Sequence, residues 1–315
     1  MSNLTKLDQM ARDKGIDLSV NLAGITLKNP ITTASGTFSP HESSEFYDLS
    51  ELGAMITKGI ASTPWDGNPV PRIAETYGGM INAVGLQNPG VDYYMEHELP
   101  FARQFDTKII ANVAGHSILE YCDVVERLSE ADVDMLEVNI SCPNVKQGGI
   151  GFGTSCDMAA KVTREVKRIS KKPIIVKLSP NVTDIASIAK AVEAEGADAV
   201  SLINTLMGMR IDVHRKRPVI ANKMGGFSGP AIKPVAVRMV YQVRRAVHIP
   251  IIGLGGIMTG EDVVEFLMAG ADAISVGTAA FASPTAPVAI KRELIDYMER
   301  YGFKNLQEIR DAFEG

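Results

Sequence analysis

The stretch "PIIVKLSPNVTDIASIAKAVEAEGADAVSLI", residues 173–203, carries one full repeat of the fold. A short Ile/Val-rich run, 173–178, leads into "DIASIAKAVEAEG", where apolar residues recur at helical spacing and a glycine follows the last of them. A second short run, "AVSLI" at 199–203, comes next. Strand, amphipathic helix and strand in that order predict two parallel strands joined by a helical crossover. The same alternation extends in both directions. Upstream lie "PITTA" (30–34), "AMIT" (54–57), "KIIANV" (108–113) and "MLEVNI" (135–140); downstream lie "PIIGL" (250–254) and "AISVG" (273–277). The segments "CDVVERLSEA", "MAAKVTREVKRIS" and "GEDVVEFLMAG" supply further helices. Eight such units predict an α/β fold of the (β/α)8 TIM-barrel type. An open dinucleotide-binding sheet would carry a GxGxxG turn, and none is present.

Two connections, 58–107 and 204–249, exceed a plain crossover, so the reading places long active-site insertions after strands 2 and 6. "LSVNLAGITLKNP" (18–30) alternates like a small hairpin, and residues 1–17 read as an amphipathic helical extension. The whole chain, 1–315, is expected to be a single barrel domain.

Composition narrows the function. A formal net charge of −5 argues against a nucleic-acid backbone as the main partner, and the one basic cluster, "HRKRP" at 214–218, reads as a solvated loop. No apolar run is long enough to span a bilayer and the N-terminus lacks a signal core, so a cytoplasmic enzyme is expected. Three cysteines, Cys122, Cys142 and Cys156, show no CxxC spacing and cannot supply four thiolates to a cluster. Five histidines without HExxH give no support to a metal site.

Barrel chemistry sits where strands end at their C-terminal side. In chain order these positions hold Ser35 and Gly36, Lys58, Asn112, Asn139, Lys177, Asn204 and Thr205, Gly255 and Gly256, then Gly277 and Thr278. Turn-forming residues alone would not include two lysines and several asparagines. The set suits an anionic, heteroaromatic ligand, and the glycines after strands 7 and 8 suit a phosphate. Lys177 reads either as a Schiff-base nucleophile or as a fixed charge beside a cofactor. Cys142, in "NISCPNVKQGG" after strand 4, reads as nucleophile, general base or inert thiol. Cys122 and Cys156 flank helical segments and read as packing residues.

Taken in order, "LKNPITTASGTF", "GNPVPRIAET", "NAVGLQNPG", "NISCPNVKQGG", "IVKLSPNV", "INTLMGMRID", "GGFSGPAIKPVA", "IIGLGGI" and "AISVGTA" resemble the class 1 dihydroorotate dehydrogenases, and within them the class 1B branch. The resemblance runs from about Leu18 onward and leaves residues 1–17 outside it. It implies an FMN barrel that oxidises dihydroorotate to orotate in de novo pyrimidine biosynthesis. FMN would contact Ala34, Ser35 and Gly36 after the first strand, with Lys58, Asn112, Asn139 and Lys177. Ile203, Gly229, Gly255, Gly256, Gly277 and Thr278 would complete its site. Substrate would meet Lys58, the run Asn82, Ala83, Val84, Gly85 and Leu86, and Asn139, Asn144, Asn204 and Thr205. Cys142 would be the catalytic base, Lys58 would act with it, and Lys177 would be a charge beside the flavin.

"CPNVKQGG" with "GNPVPRIAET" favours class 1B, which passes electrons to NAD through a partner subunit carrying FAD and a [2Fe-2S] cluster, docked on a homodimer to form a heterotetramer. A class 1A enzyme would use fumarate instead. A tRNA dihydrouridine synthase shares the flavin barrel and the cysteine but would need a basic RNA-binding surface. A Schiff-base aldolase would be colourless, and a binding module would have lost Cys142 and Lys58.

Overall fold

A computed structural model describes residues 4–142 and 150–315. All eight runs form parallel strands, and together they close into a barrel. The strands are Ile31–Thr33, Ala54–Ile56, Lys108–Val113, Met135–Asn139, Ile174–Lys177, Ala199–Leu202, Ile251–Leu254 and Ala273–Val276. Closure is made by the last strand against the first, with Ile274 opposite Ile31. Both faces of these strands are buried, one against the helices and one inside the barrel, which is why their sequences are mostly apolar and do not alternate.

The helices begin where side chains can take up free amides. Asp184 accepts from the amides of Ala186 and Ser187 and starts Ile185–Ala194; Gly196, at φ +89°, then turns the chain toward the next strand. Thr259 and Asp262 form a reciprocal capping box at the head of Gly260–Met268. Ser117 caps Ile118–Ser129, so this helix starts before Cys122, where the apolar spacing alone had placed its beginning.

The N-terminal segment has a definite seat. Helix Lys6–Asp13 packs on helix Ala286–Tyr301 and on the short turn Leu49–Glu51, which enters the second barrel strand from below. Lys291, only 1% exposed, places its ammonium 2.6 Å from Asp8 and 2.8 Å from Glu51, and also donates to the Glu51 carbonyl. Thr5 adds its hydroxyl, 2.6 Å from Glu51 and 2.8 Å from Asp8. Strands Val20–Leu22 and Ile25–Leu27 form the expected antiparallel hairpin.

At the opposite end the two long insertions meet each other. Ile73–Thr76 and Gly79–Asn82 from the first pair with Met224–Ser228 and Leu206–Met209 from the second, making one four-stranded antiparallel sheet. The backbones cross closely beside it. A Cβ on Gly229 (φ +113°) would lie 2.5 Å from the Gly79 Cα, so only glycine fits. Ile81, Ala83 and Ile220 form a small apolar core for this roof, separate from the barrel core. The basic cluster at 214–218 is an exposed turn joining Ile211–Asp212 to Arg217–Pro218.

Candidate active site

Beneath the roof, the C-terminal ends of the barrel strands surround a cleft of about 1150 Å³, measured out to its mouth. Of the predicted residues, Ala34, Ser35, Gly36, Lys58, Asn139 and Cys142 line it on one side. Lys177, Ile203, Asn204, Thr205 and the glycines 229, 255, 256 and 277 with Thr278 line the rest. From the roof, Asn82, Val84, Gly85 and Leu86 reach the same space. Two predicted residues stand back from it. Ala83 is turned into the roof core. Asn112 is fully buried and lies one layer below, its amide donating to Glu137 and its carbonyl oxygen accepting from Asn139 at 3.4 Å. Asn144 lies outside the described residues.

Glu137 is the member the strand-end reading missed. It lies inside the fourth strand and has no exposed surface. Its carboxylate accepts from Ser201 at 2.6 Å and from Asn112, and lies 3.7 Å from the Lys177 ammonium. Lys177, 3% exposed, also donates to the Ser35 hydroxyl at 3.2 Å. A buried charge is tolerable only when paired and hydrogen-bonded, and this network meets that condition from below while leaving the lysine at the cleft floor. The signal was available: a carboxylate inside "MLEVNI" demands a buried cation.

Asn139 is held from both sides. Its carbonyl accepts from the Tyr121 phenol at 2.7 Å, and its side-chain oxygen accepts from the Ser141 hydroxyl at 2.9 Å. Ser141 in turn accepts from Asn204 at 2.9 Å, and Asn204 accepts from the Thr205 amide at 2.7 Å. One continuous hydrogen-bonded string thus fixes the asparagines of strands 4 and 6 beside Cys142, itself 6% exposed.

Lys58 differs from every other charge nearby. Among the described residues its ammonium makes no hydrogen bond or ion pair. Burial pushes it below the ordinary lysine value; charge on Cys142 pulls it back up and Arg72 lowers it further. Lys58 and Cys142 both line the cleft. A partly buried cation without a protein partner fits an anionic ligand.

The glycine end suits a phosphate. Gly255 and Gly256 take φ values of +129° and +82°, and a Cβ on Gly256 would lie 2.8 Å from the Lys233 Cβ. The amides of Gly256 and Thr278 find no acceptor among the described residues. Free amides at the ends of strands 7 and 8 are the usual phosphate donors of a barrel.

The family model described as Dihydroorotate dehydrogenase matches residues 17–298. A protein of Alkaliphilus metalliredigens named dihydroorotate dehydrogenase B (NAD(+)), catalytic subunit, is 61% identical over 298 residues, covering 94% of this chain and 99% of the relative. Proteins of the same name from Lachnoclostridium phytofermentans and Geobacillus kaustophilus are 59% and 56% identical, over 93% and 92% of this chain and 98% and 94% of theirs. In fold, the chain resembles the crystal structure of a DHODH from Eimeria tenella in complex with ferulenol, with a TM-score of 0.76 at 22% identity over 94% of this chain and 88% of that one. With the family match spanning nearly the whole barrel and relatives more than half identical, the chain belongs to the dihydroorotate dehydrogenase family.

Proposed function

We propose that this chain is the catalytic subunit of an NAD-linked dihydroorotate dehydrogenase, oxidising dihydroorotate to orotate in pyrimidine biosynthesis. The observation that carries the reading is the presence, in one cleft, of an ammonium, Lys58, that no described protein group pairs, together with a buried thiol, Cys142. The substrate is a ring with a carboxylate, and its oxidation removes a proton from one carbon and a hydride from the next.

The cleft residues fit FMN. The unused amides of Gly256 and Thr278, with Gly229, Gly255 and Gly277, would hold its phosphate; Ala34, Ser35, Gly36 and Ile203 would line its ring system. Lys58, Asn139 and Lys177 would meet the ring's polar edge, and Asn112 would act through Asn139 and Glu137. Bound FMN supplies the hydride acceptor. The chain's own residues do the rest. Lys58 holds the substrate carboxylate, and Asn82, Asn139, Asn204 and Thr205 offer donors and acceptors to the ring edge, with Asn144 as a further candidate. Val84, Gly85 and Leu86 exclude water above. The Cys142 sulfur, as thiolate, takes the proton from the carbon beside the ring carbonyl.

Electrons must then leave. Relatives named as catalytic subunits point to a second subunit, and an FAD/[2Fe-2S] protein docked on a homodimer of this chain would pass them to NAD. Among the described residues no cluster of metal ligands is present, and no helix is long and apolar enough to cross a membrane.

The test is a visible spectrum of the purified chain with and without dihydroorotate. A flavin spectrum that bleaches on adding substrate is expected, with no iron, and with NAD reduced only when the partner is supplied. Efficient fumarate reduction would instead place the chain with class 1A. Cys142→Ala should keep the flavin but slow bleaching by about 10²-fold or more; near-normal bleaching would remove Cys142 from the role of base.

A further inference from the structure

A second cavity lies beside the cleft, and nothing in the mechanism above uses it. Lys58 and Val84 form a wall common to both spaces. On its other side the cavity is lined by Tyr94, Glu98 and His41. Tyr94 and Glu98 stand at the two ends of one π-helical turn, Tyr94–Glu98, a local distortion often found at functional positions. Tyr94 is 2% exposed and its phenol oxygen is buried without a hydrogen-bond partner among the described residues. A buried hydroxyl in that condition, on the wall of a cavity that also carries Lys58, Asp66 and Glu98 among apolar side chains, calls for water. Glu98 is half-buried, and among the described residues its carboxylate makes no ion pair or hydrogen bond. His41, on helix Pro40–Ser43, is exposed at the outer end.

The reaction sets a requirement that these groups meet. In each turnover a C–H bond of the substrate breaks and an S–H bond forms at Cys142, while the hydride goes to the cofactor. The thiolate returns only when that proton reaches solvent, and the roof sheet covers the cleft from above. We propose that the side cavity is a water-filled exit for this proton, leading from the wall at Lys58 past Tyr94 to Glu98, which relays it to His41 and bulk water. The inference rests on the dihydroorotate reading. No electron moves in the relay: the sulfur gives its proton to water, water gives one to the Glu98 carboxylate, and Glu98 gives one to the imidazole or to solvent. Thiolate and carboxylate are both restored.

Electrostatics agree with the assignment. Burial raises the Glu98 carboxyl above the usual carboxylate range, which brings it nearer the working pH of a relay, and His41 pulls it partly back. Burial and the neighbouring Glu98 raise the Tyr94 phenol, opposed by Arg103, so Tyr94 serves as a hydrogen-bond anchor for water and keeps its proton. Asp66 and Lys58 are the other charged groups on the cavity wall.

The test follows flavin bleaching and proton release together, by stopped flow in weak buffer with an indicator dye, on the flavin-loaded enzyme. In the unmodified enzyme the two should coincide. In Glu98→Gln the release should lag first-turnover bleaching by about tenfold, and steady turnover with an artificial acceptor should fall by a similar factor with KM unchanged. Imidazole should restore the release, Glu98→Asp should keep most of it, and Tyr94→Phe should show an intermediate lag. Coincident release and bleaching in both the Gln and Phe variants would overturn the relay. So would parallel slowing of both signals without a lag, since that marks a structural effect. No bleaching in the unmodified enzyme would remove the functional reading and the relay together.

Discussion

Two lysines, one at each end of the barrel, show how the same side chain is put to opposite uses. Lys291, at the floor, is enclosed by Asp8, Glu51 and a backbone carbonyl, so its charge is answered completely by the protein. Lys58, at the mouth, is partly buried and has no such partner among the described residues, and burial depresses its pKa. The floor lysine ties the N-terminal helix to the barrel. The mouth lysine keeps an unmet electrostatic demand that an anionic substrate can satisfy. The difference lies in what the neighbouring chain supplies: Lys291 is fully enclosed by its partners, while Lys58, only partly buried, faces the cleft.

Substitutions can break this contrast. Lys291→Met should have the largest effect on folding, because it leaves two carboxylates buried without a cation. A loss of about 3–5 kcal/mol is expected in denaturant titration, with substrate KM unchanged in the folded fraction. Lys58→Ala should do the reverse. Stability should hold or rise, because a desolvated charge is removed, while kcat/KM for dihydroorotate falls by about 10²-fold, or about 2.7 kcal/mol. A loss of stability with intact kinetics would make Lys58 a second Lys291.

The pH profile separates them further. The folded pKa of Lys58 is below its unfolded value, so over the interval between the two the unfolded chain binds more protons, and this residue's contribution to stability increases with pH. Binding of the anionic substrate needs the charged form, so KM should climb as pH rises through the depressed value, earlier than an ordinary lysine would dictate. Lys58→Arg should abolish that early climb. The smallest effect is expected at Thr5, the cap of the N-terminal helix: Thr5→Ala should cost about 1 kcal/mol and leave catalysis untouched.

The barrel was legible because its eight strands are short Ile/Val runs closed by turn residues, and most of the cleft because polar residues stand at the strand ends. Glu137 escapes a reading of strand ends because its carboxylate lies within a strand. Lys291 looks like an ordinary surface lysine in "AIKRELID", since helical spacing alone does not reveal that Asp8 comes to meet it from the other end of the chain. Residues 4–14, outside the family match, gain their account through that meeting and through the burial of Leu7 and Ala11 in the core. The roof was foreseen as two long insertions but not as one sheet, because a pairing between distant segments leaves no periodic trace in either.

That roof has a consequence for the order in which the molecule is made. Asn82 and Gly226 lie opposite each other in it although 144 residues separate them. Early barrel strands can pair with their neighbours as they are synthesised, but the roof over the cleft has no second half until the chain has grown past Ser228. Contacts of such long sequence separation form slowly. A ribosome-bound chain that stops before Met224 would lack both the second half of the roof and the last two barrel strands, so the space between Lys58 and Cys142 is walled and covered only late in synthesis.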